Sequence, residues 1–405
     1  MTPRLSQVIE IESGKRIDFE SNASDDAWSI GGEHIQNGRF ALEKNPRRLP
    51  IDFYRASKKG RIRTGDTLLV KDGATLGKSM YVDELPFLRL LVNEHVFVLR
   101  PRRVDPHYLG FLIQSSLVQH SIWAGVMAAA QPGIGRSFAK GIQVPIDGLA
   151  TQRQVADFLD RETARIDLLI EKKQRLVALL GDDRKATITS LVSGGEERAS
   201  LTPRPSKWFS ELPSGWALVR VKNVTTKISD GPHISPEYVD EGVPFISARN
   251  IKIDRWSLGD AKYISTELFK ELARKSKPQI GDVLYTKGGT TGIARAVDLN
   301  FDFHIWVHVA LLKLRKQICN PDFLAYALNS VPCYEQSQLA TRGATNNDLG
   351  LSRIANIQIP LPPLETQIAI VVEIDRGVHH IDKLVETINA SIDRLKEYRS
   401  ALITA

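Results

Sequence analysis

Residues 358–405 read QIPLPPLETQIAIVVEIDRGVHHIDKLVETINASIDRLKEYRSALITA, and the spacing of their apolar residues decides the architecture. Val371, Ile374, Val378, Ile381, Val385, Ile388, Ile392 and Leu395 follow one another at alternating intervals of three and four. That seam of period 3.5 is the pattern of a helix whose side chains fit holes on a facing helix. A helix of this length runs roughly 60 Å, far more than a compact domain needs.

The same stretch occurs earlier in the chain. Residues 143–190 align with 358–405 without a gap, and 16 of the 48 pairs are identical. They include Thr151/Thr366, Gln152/Gln367, Asp160/Asp375, Arg161/Arg376, Asp167/Asp382, Arg184/Arg399 and Thr189/Thr404. The earlier seam runs Ala156, Leu159, Thr163, Ile166, Ile170, Lys173, Val177 and Leu180, apolar at six of eight positions. Two such seams in one chain have each other as partners. Each helix is preceded by an extended, Pro-bearing segment, with Thr151 or Thr366 placed to cap the first turn. Upstream the repeat is fainter: GDTLLVKDGATLG (65–77) matches GDVLYTKGGTTG (281–292), and WSIGGEHI (28–35) resembles FISARNI (245–251). LPSGW (212–216), before the second copy, has no clear counterpart before the first.

These matches divide the chain into a front of 1–142, a helix of 143–192, a linker of 193–215, a second front of 216–357 and a second helix of 358–405. The linker segment SGGEERASLTPRPS (193–206) is rich in Gly, Ser and Pro and has no periodicity. Short apolar runs such as DTLLV, HVFVL, GVPFI and VALLKL are of strand length, while PHYLGFLIQSS and PDFLAYALNS read as short helices with Pro in the first turn. The fold class is therefore α+β: two mixed fronts, two long helices and an internal repeat.

Composition narrows the partners. The 405 residues are 42% hydrophobic and 25% charged, as in an ordinary globular protein. The formal charge of +7 suits a polyanion, because basic side chains that neutralise phosphates release counterions. No apolar run is long enough to cross a membrane and the N-terminus lacks the apolar core of a secretory signal, which points to the cytoplasm. Two cysteines are too few for a disulfide framework or a structural zinc site.

Two places suit contact with DNA. The first is the Lys-Gly loop of each front, with Lys71, Asp72, Gly73 and Lys78 in one copy and Lys287, Thr290 and Thr291 in the other. Glycine lets backbone approach closely, and Lys and Thr donate to phosphates; an ordinary hairpin turn would read the same way. The second is the segment before each Pro-bearing strand, with Gln131 and Arg136 in one copy and Arg342, Thr345, Asn346 and Asn347 in the other. Arg reads guanine bidentately and Asn or Gln reads adenine, so these residue types suit a groove. No phosphate-binding GxxxxGK[ST] loop and no GxGxxG cofactor loop is present, and Glu171-Lys172-Lys173 falls mid-helix; the sequence offers no active site.

Taken together, GDTLLVKDGATLGK, GDVLYTKGGTTG, IPLPPLETQ, EIDRGVHHID, QVPIDGLATQ and FLDRETARIDLLIEKKQRL resemble the specificity subunit of type I restriction-modification systems. The resemblance implies two target-recognition domains joined by an antiparallel coiled coil with pseudo-twofold symmetry. Each domain would read one half of a bipartite sequence in double-stranded DNA, and the helices would fix the spacer. It implies two modification subunits carrying S-adenosylmethionine and restriction subunits using ATP and Mg, with no cofactor and no catalysis on this chain. A coiled-coil scaffold without DNA binding is the rival reading.

Overall fold

The computed structural model describes residues 2–16, 27–36, 38–44, 46–127, 133–195, 201–342 and 348–405. The chain forms two compact units, Met1–Gln174 with Asn389–Ala405, and Arg175–Ile388.

The longer strands of the first unit are β1 (Ile9–Ser13), β2 (Ala27–Ile30), β3 (Arg47–Leu49), β4 (Thr67–Val70), β5 (Ser79–Tyr81), β6 (Leu90–Val92) and β7 (Val96–Pro101). Four of them make an antiparallel sheet in the order β1-β7-β4-β5, and three make a smaller sheet, β3-β2-β6, in which β2 and β6 are parallel. Alternation along the central strands explains their unbroken apolar runs. Leu69, Phe97 and Leu99 pack toward α1 (Pro106–Gln114) and α2 (Ser116–Met127), while Leu68, Val70, Val96 and Val98 pack toward the smaller sheet. Both faces are covered, so both side-chain sets are apolar.

The second unit repeats this plan. Its strands are β8 (Ala217–Arg220), β9 (Thr225–Asp230), β10 (Val243–Ile246), β11 (Lys262–Ile264), β12 (Val283–Thr286), β13 (Ala294–Ala296), β14 (His304–Ile305), β15 (Val309–Leu314) and β16 (Gln358–Leu361). The sheets β9-β15-β12-β13 and β11-β10-β14 match those of the first unit in order and direction. The pairing of β8 with β16 also has its counterpart: Leu5 N–H donates to Ile142 O and Val144 N–H donates to Pro3 O. Arg4 bridges Gln143 as Arg220 pairs with Gln358, and Val221 N–H donates to Ile357 O as Leu5 does to Ile142 O, so residues 3–5 stand in the first unit where 219–221 stand in the second, a match the sequence does not announce.

Two long helices, Leu149–Val192 and Leu364–Thr404, contribute to both units. All sixteen seam positions are buried or half-buried. In the first unit Arg399 Nε donates to Asp167 Oδ1 at 2.9 Å; in the second, Arg184 Nε lies 3.4 Å from Asp382 Oδ1. Numbers rise along one helix as they fall along the other, so the helices run antiparallel. Moving either pair 215 residues along the chain gives the other pair, so the repeat carries the same ion pair in each unit.

Other repeated residues carry repeated contacts. Thr404 Oγ1 accepts from Ser116 N–H at 3.2 Å, and Thr189 Oγ1 accepts from Val331 N–H at 3.0 Å. The buried amide of Gln152 accepts from Asp105 N–H and donates to Asp147 O; Gln367 accepts from Asn320 N–H and donates to Pro362 O. Two local expectations differ. The helices begin at Leu149 and Leu364, so Thr151 and Thr366 lie inside the first turn and not at the cap. Within the stretch read as linker, Leu201–Pro203 pairs with Glu211–Pro213.

Replacing Gln152 or Gln367 with Ala strands a buried N–H and a buried carbonyl. Each change should cost about 1–3 kcal/mol, read as a lower urea midpoint for unfolding. An unchanged midpoint for both would remove these amides from the account of how fronts join helices.

Candidate nucleic-acid interface

Each Lys-Gly loop connects two antiparallel strands, 67–70 with 79–81 and 283–286 with 294–296. It is a hairpin turn, and it is also more than that. In the first unit Lys71 N–H donates to His95 O at 3.0 Å and Lys71 O accepts from Ile134 N–H at 2.8 Å. In the second, Lys287 N–H donates to His308 O at 2.9 Å and Lys287 O accepts from Leu349 N–H at 2.7 Å. In both units the loop's backbone therefore holds the returning chain at Ile134 or Leu349. Both candidate segments of a front meet at one edge.

The helix side of the loop is fixed as well. Gln119 Nε2 donates to Gly77 O at 3.0 Å, and Gln338 Nε2 donates to Thr291 O at 3.2 Å. Gly289 has φ +71° with open space beside it, whereas Gly292 has φ +90° and its missing Cβ would lie 2.4 Å from Ser337 Oγ.

Side chains at this edge differ between the units. Lys71 is a quarter exposed, with Nζ 3.4 Å from Asp72 Oδ2, and His95 Nδ1 lies 2.5 Å from Asp72 Oδ1. Gly73, Lys78 and Arg136 are exposed. Lys287, expected to face phosphate, is instead buried: its Nζ lies 3.2 Å from Asp230 Oδ2, 3.4 Å from Asp348 Oδ1 and 3.2 Å from Val307 O. Thr291 is buried against Thr341, while Thr290 and Arg342 are exposed. Arg342 and Asp348 exchange two backbone hydrogen bonds, at 3.0 and 2.9 Å. Gln131, Thr345, Asn346 and Asn347 lie outside the described residues.

Residues absent from the sequence-based set complete the second unit's edge. A cavity of about 480 Å³ opens beside Gly288, Gly289 and Thr290, walled by Tyr238, Trp306 and His308 with Arg249 and Lys262 at its margin. The histidines could have been found: HVFVL (95–99) and HVALL (308–312) share a His-Val start. In the first unit a larger cavity, about 1170 Å³, lies between Lys78 and the helix residues Asp167, Glu171, Lys396 and Arg399.

Groups of other chemistry are quiet. Burial pushes the thiols of Cys319 and Cys333 up to about 12, so neither is a nucleophile near neutrality. Among the described residues no group of three His, Cys, Asp or Glu side chains could hold a metal ion, and no helix is long and apolar enough to cross a membrane.

The doubled fold, the opposed helices and the paired loop edges define one class of protein. The type I restriction modification DNA specificity domain matches residues 1–178 and again 213–396, and the chain belongs to that family. It is similar to the EcoBI specificity subunit of Escherichia coli, 22% identical over 268 residues, or 64% of this chain and 56% of that relative. The aligned stretch thus spans little more than half of that relative's length. The MjaVIII specificity subunit of Methanocaldococcus jannaschii is 22% identical over 336 residues, 80% of this chain and 74% of the relative. A solved chain from a study of complex assembly and conformational transition of the type I R-M system has the same fold: TM-score 0.67 at 19% identity, covering 99% of this chain and 95% of that one.

The two glycines should separate in their tolerance. Gly289→Ala should cost about 1 kcal/mol, for the left-handed backbone alone. Gly292→Ala adds a clash with Ser337 and should cost roughly 2–4 kcal/mol. Equal losses in thermal unfolding would contradict the placement of the loop on its helix.

Proposed function

We propose that the chain is the DNA-specificity subunit of a type I restriction-modification complex. The observation that carries this reading is the family domain present twice, each copy with its own Lys-Gly edge and its own set of exposed side chains. A reader of two different half-sites needs a shared frame with unlike surfaces, and 1–142 and 216–357 fit that need. Half-buried Lys71 and exposed Lys78, Thr290, Arg136 and Arg342 would meet phosphates and base edges, together with Gln131 and Thr345–Asn347. Gly73 would allow close backbone approach, and Asp72 would accept from cytosine N4 or orient Lys71.

The helix pair would hold a fixed unread spacer between the half-sites, and its exposed apolar residues, among them Phe158, Leu168, Leu179, Ile368 and Val372, would receive two modification subunits. Those subunits would bring S-adenosylmethionine, and restriction subunits ATP. This chain would then supply recognition and no catalysis, in the cytoplasm where the cell's DNA lies.

Sequencing the methylated sites of cells carrying the complete system tests this directly, since it reports both half-sites and the spacer. Inserting one turn, roughly four residues or 6 Å, into each helix should lengthen the spacer by about two base pairs and leave both half-sites unchanged. Altered half-sites would refute the division of labour.

A further inference from the structure

The two Lys-Gly loops differ in length by one residue but are tethered by the same backbone hydrogen bonds, and their lysines stand in different surroundings. Around Lys287 are two carboxylates supplied from outside the loop, Asp230 on β9 and Asp348 on the returning chain. Strand register puts Ser13 in the first unit where Asp230 stands, since Ser13 pairs with Phe97 as Asp230 pairs with Ala310. The 215-residue offset puts Gly133 where Asp348 stands. Both bridge positions are occupied in the same way, Asp72 against Gly133 and Gly288 against Asp348. The first unit thus lacks both outside carboxylates and carries one on the loop itself, at Asp72. The second carries none there: at Gly288 a Cβ would lie 2.0 Å from the His308 ring.

We infer that Lys287 is a positioning residue for base reading in the second recognition domain, whereas Lys71 contacts DNA phosphate in the first. The inference rests on the DNA-specificity reading above. The Lys287 side chain is 7% exposed and its ammonium has three oxygen partners within 3.4 Å, so a phosphate would have to displace existing bonds to reach it. Through Asp348, which also accepts from Arg353 Nη2 at 3.2 Å, it fixes the residue whose backbone pairs with that of Arg342. Among the described residues Lys71 has one carboxylate partner, Asp72, and a quarter of its side-chain surface is open. The same motif serves as a clamp in one domain and as a contact in the other.

Salt dependence separates the two roles, because each phosphate contact contributes about 0.9 to the slope of log K against log salt. The full-length chain, in complex with its modification subunits, is used to select duplexes from a randomised pool, and the selected duplex is titrated over a range of salt. For Lys71→Met the slope should fall by about 0.9 and binding should weaken on every duplex alike. For Lys287→Met the slope should hold. Discrimination at positions of the second half-site should drop from roughly tenfold or more per base pair to about unity. The first half-site is the internal control for folding and should be selected as before. Asp348→Asn leaves the Lys287–Asp230 pair in place and should give the same selective loss, which covers the case of Lys287→Met failing to fold. A slope loss for Lys287→Met equal to that of Lys71→Met overturns the assignment, as does unchanged selection by both Lys287→Met and Asp348→Asn. If the unaltered complex enriches no sequence, the specificity reading itself falls and the assignment with it.

Discussion

One constraint joins the two long helices: they come from the same repeat and lie antiparallel, so a contact between residues kept in both copies is made twice. The Asp167–Arg399 and Arg184–Asp382 pairs show this in its simplest form. A charge pair at the surface contributes little to stability, on the order of 1 kcal/mol or less. Its value here is in register. A seam of identical period can slide by a heptad with small loss of packing, and two pairs related by the same offset agree only in one alignment.

The fronts are joined to that frame by buried amides. Gln152 and Gln367 each take one hydrogen bond from the start of a front helix and give another to the turn that begins a long helix. Thr189 and Thr404 accept from the first residues of Val331–Ala340 and Ser116–Met127. Several of the residues that survive as identities between the copies are thus ones that touch across elements. Elsewhere the joint has diverged: Asp160 meets the His107 ring, while Asp375 accepts from the Tyr326 hydroxyl.

Much of this frame was legible in the sequence, because the seam is periodic and the repeat is long. The inside of the fronts was not. Central strands such as 67–70 and 309–314 are covered on both faces, so they show a continuous apolar run and lose the alternation that marks a strand. The parallel pairing of 27–30 with 90–92 joins residues some sixty apart and leaves no local signal. At the candidate edge, the loops and their glycines could be read from their spacing. The burial of Lys287 could not, because Asp230 and Asp348 lie dozens of residues away on either side.

The tether between each Lys-Gly loop and the returning chain consists of main-chain atoms, Lys71 O with Ile134 N and Lys287 O with Leu349 N. A bond of that kind does not specify the side chain of the residue that makes it. Exposed residues near it, such as Lys78, Arg136, Thr290 and Arg342, can be exchanged while the hairpin and the sheet beneath it keep their geometry, whereas Gly288 and Gly292 cannot, since a Cβ there would lie 2.0 Å from the His308 ring and 2.4 Å from Ser337 Oγ. Change at these edges is thereby separated from change in the frame. The two copies are alike in strand order and in this tether, and unlike in the side chains around it.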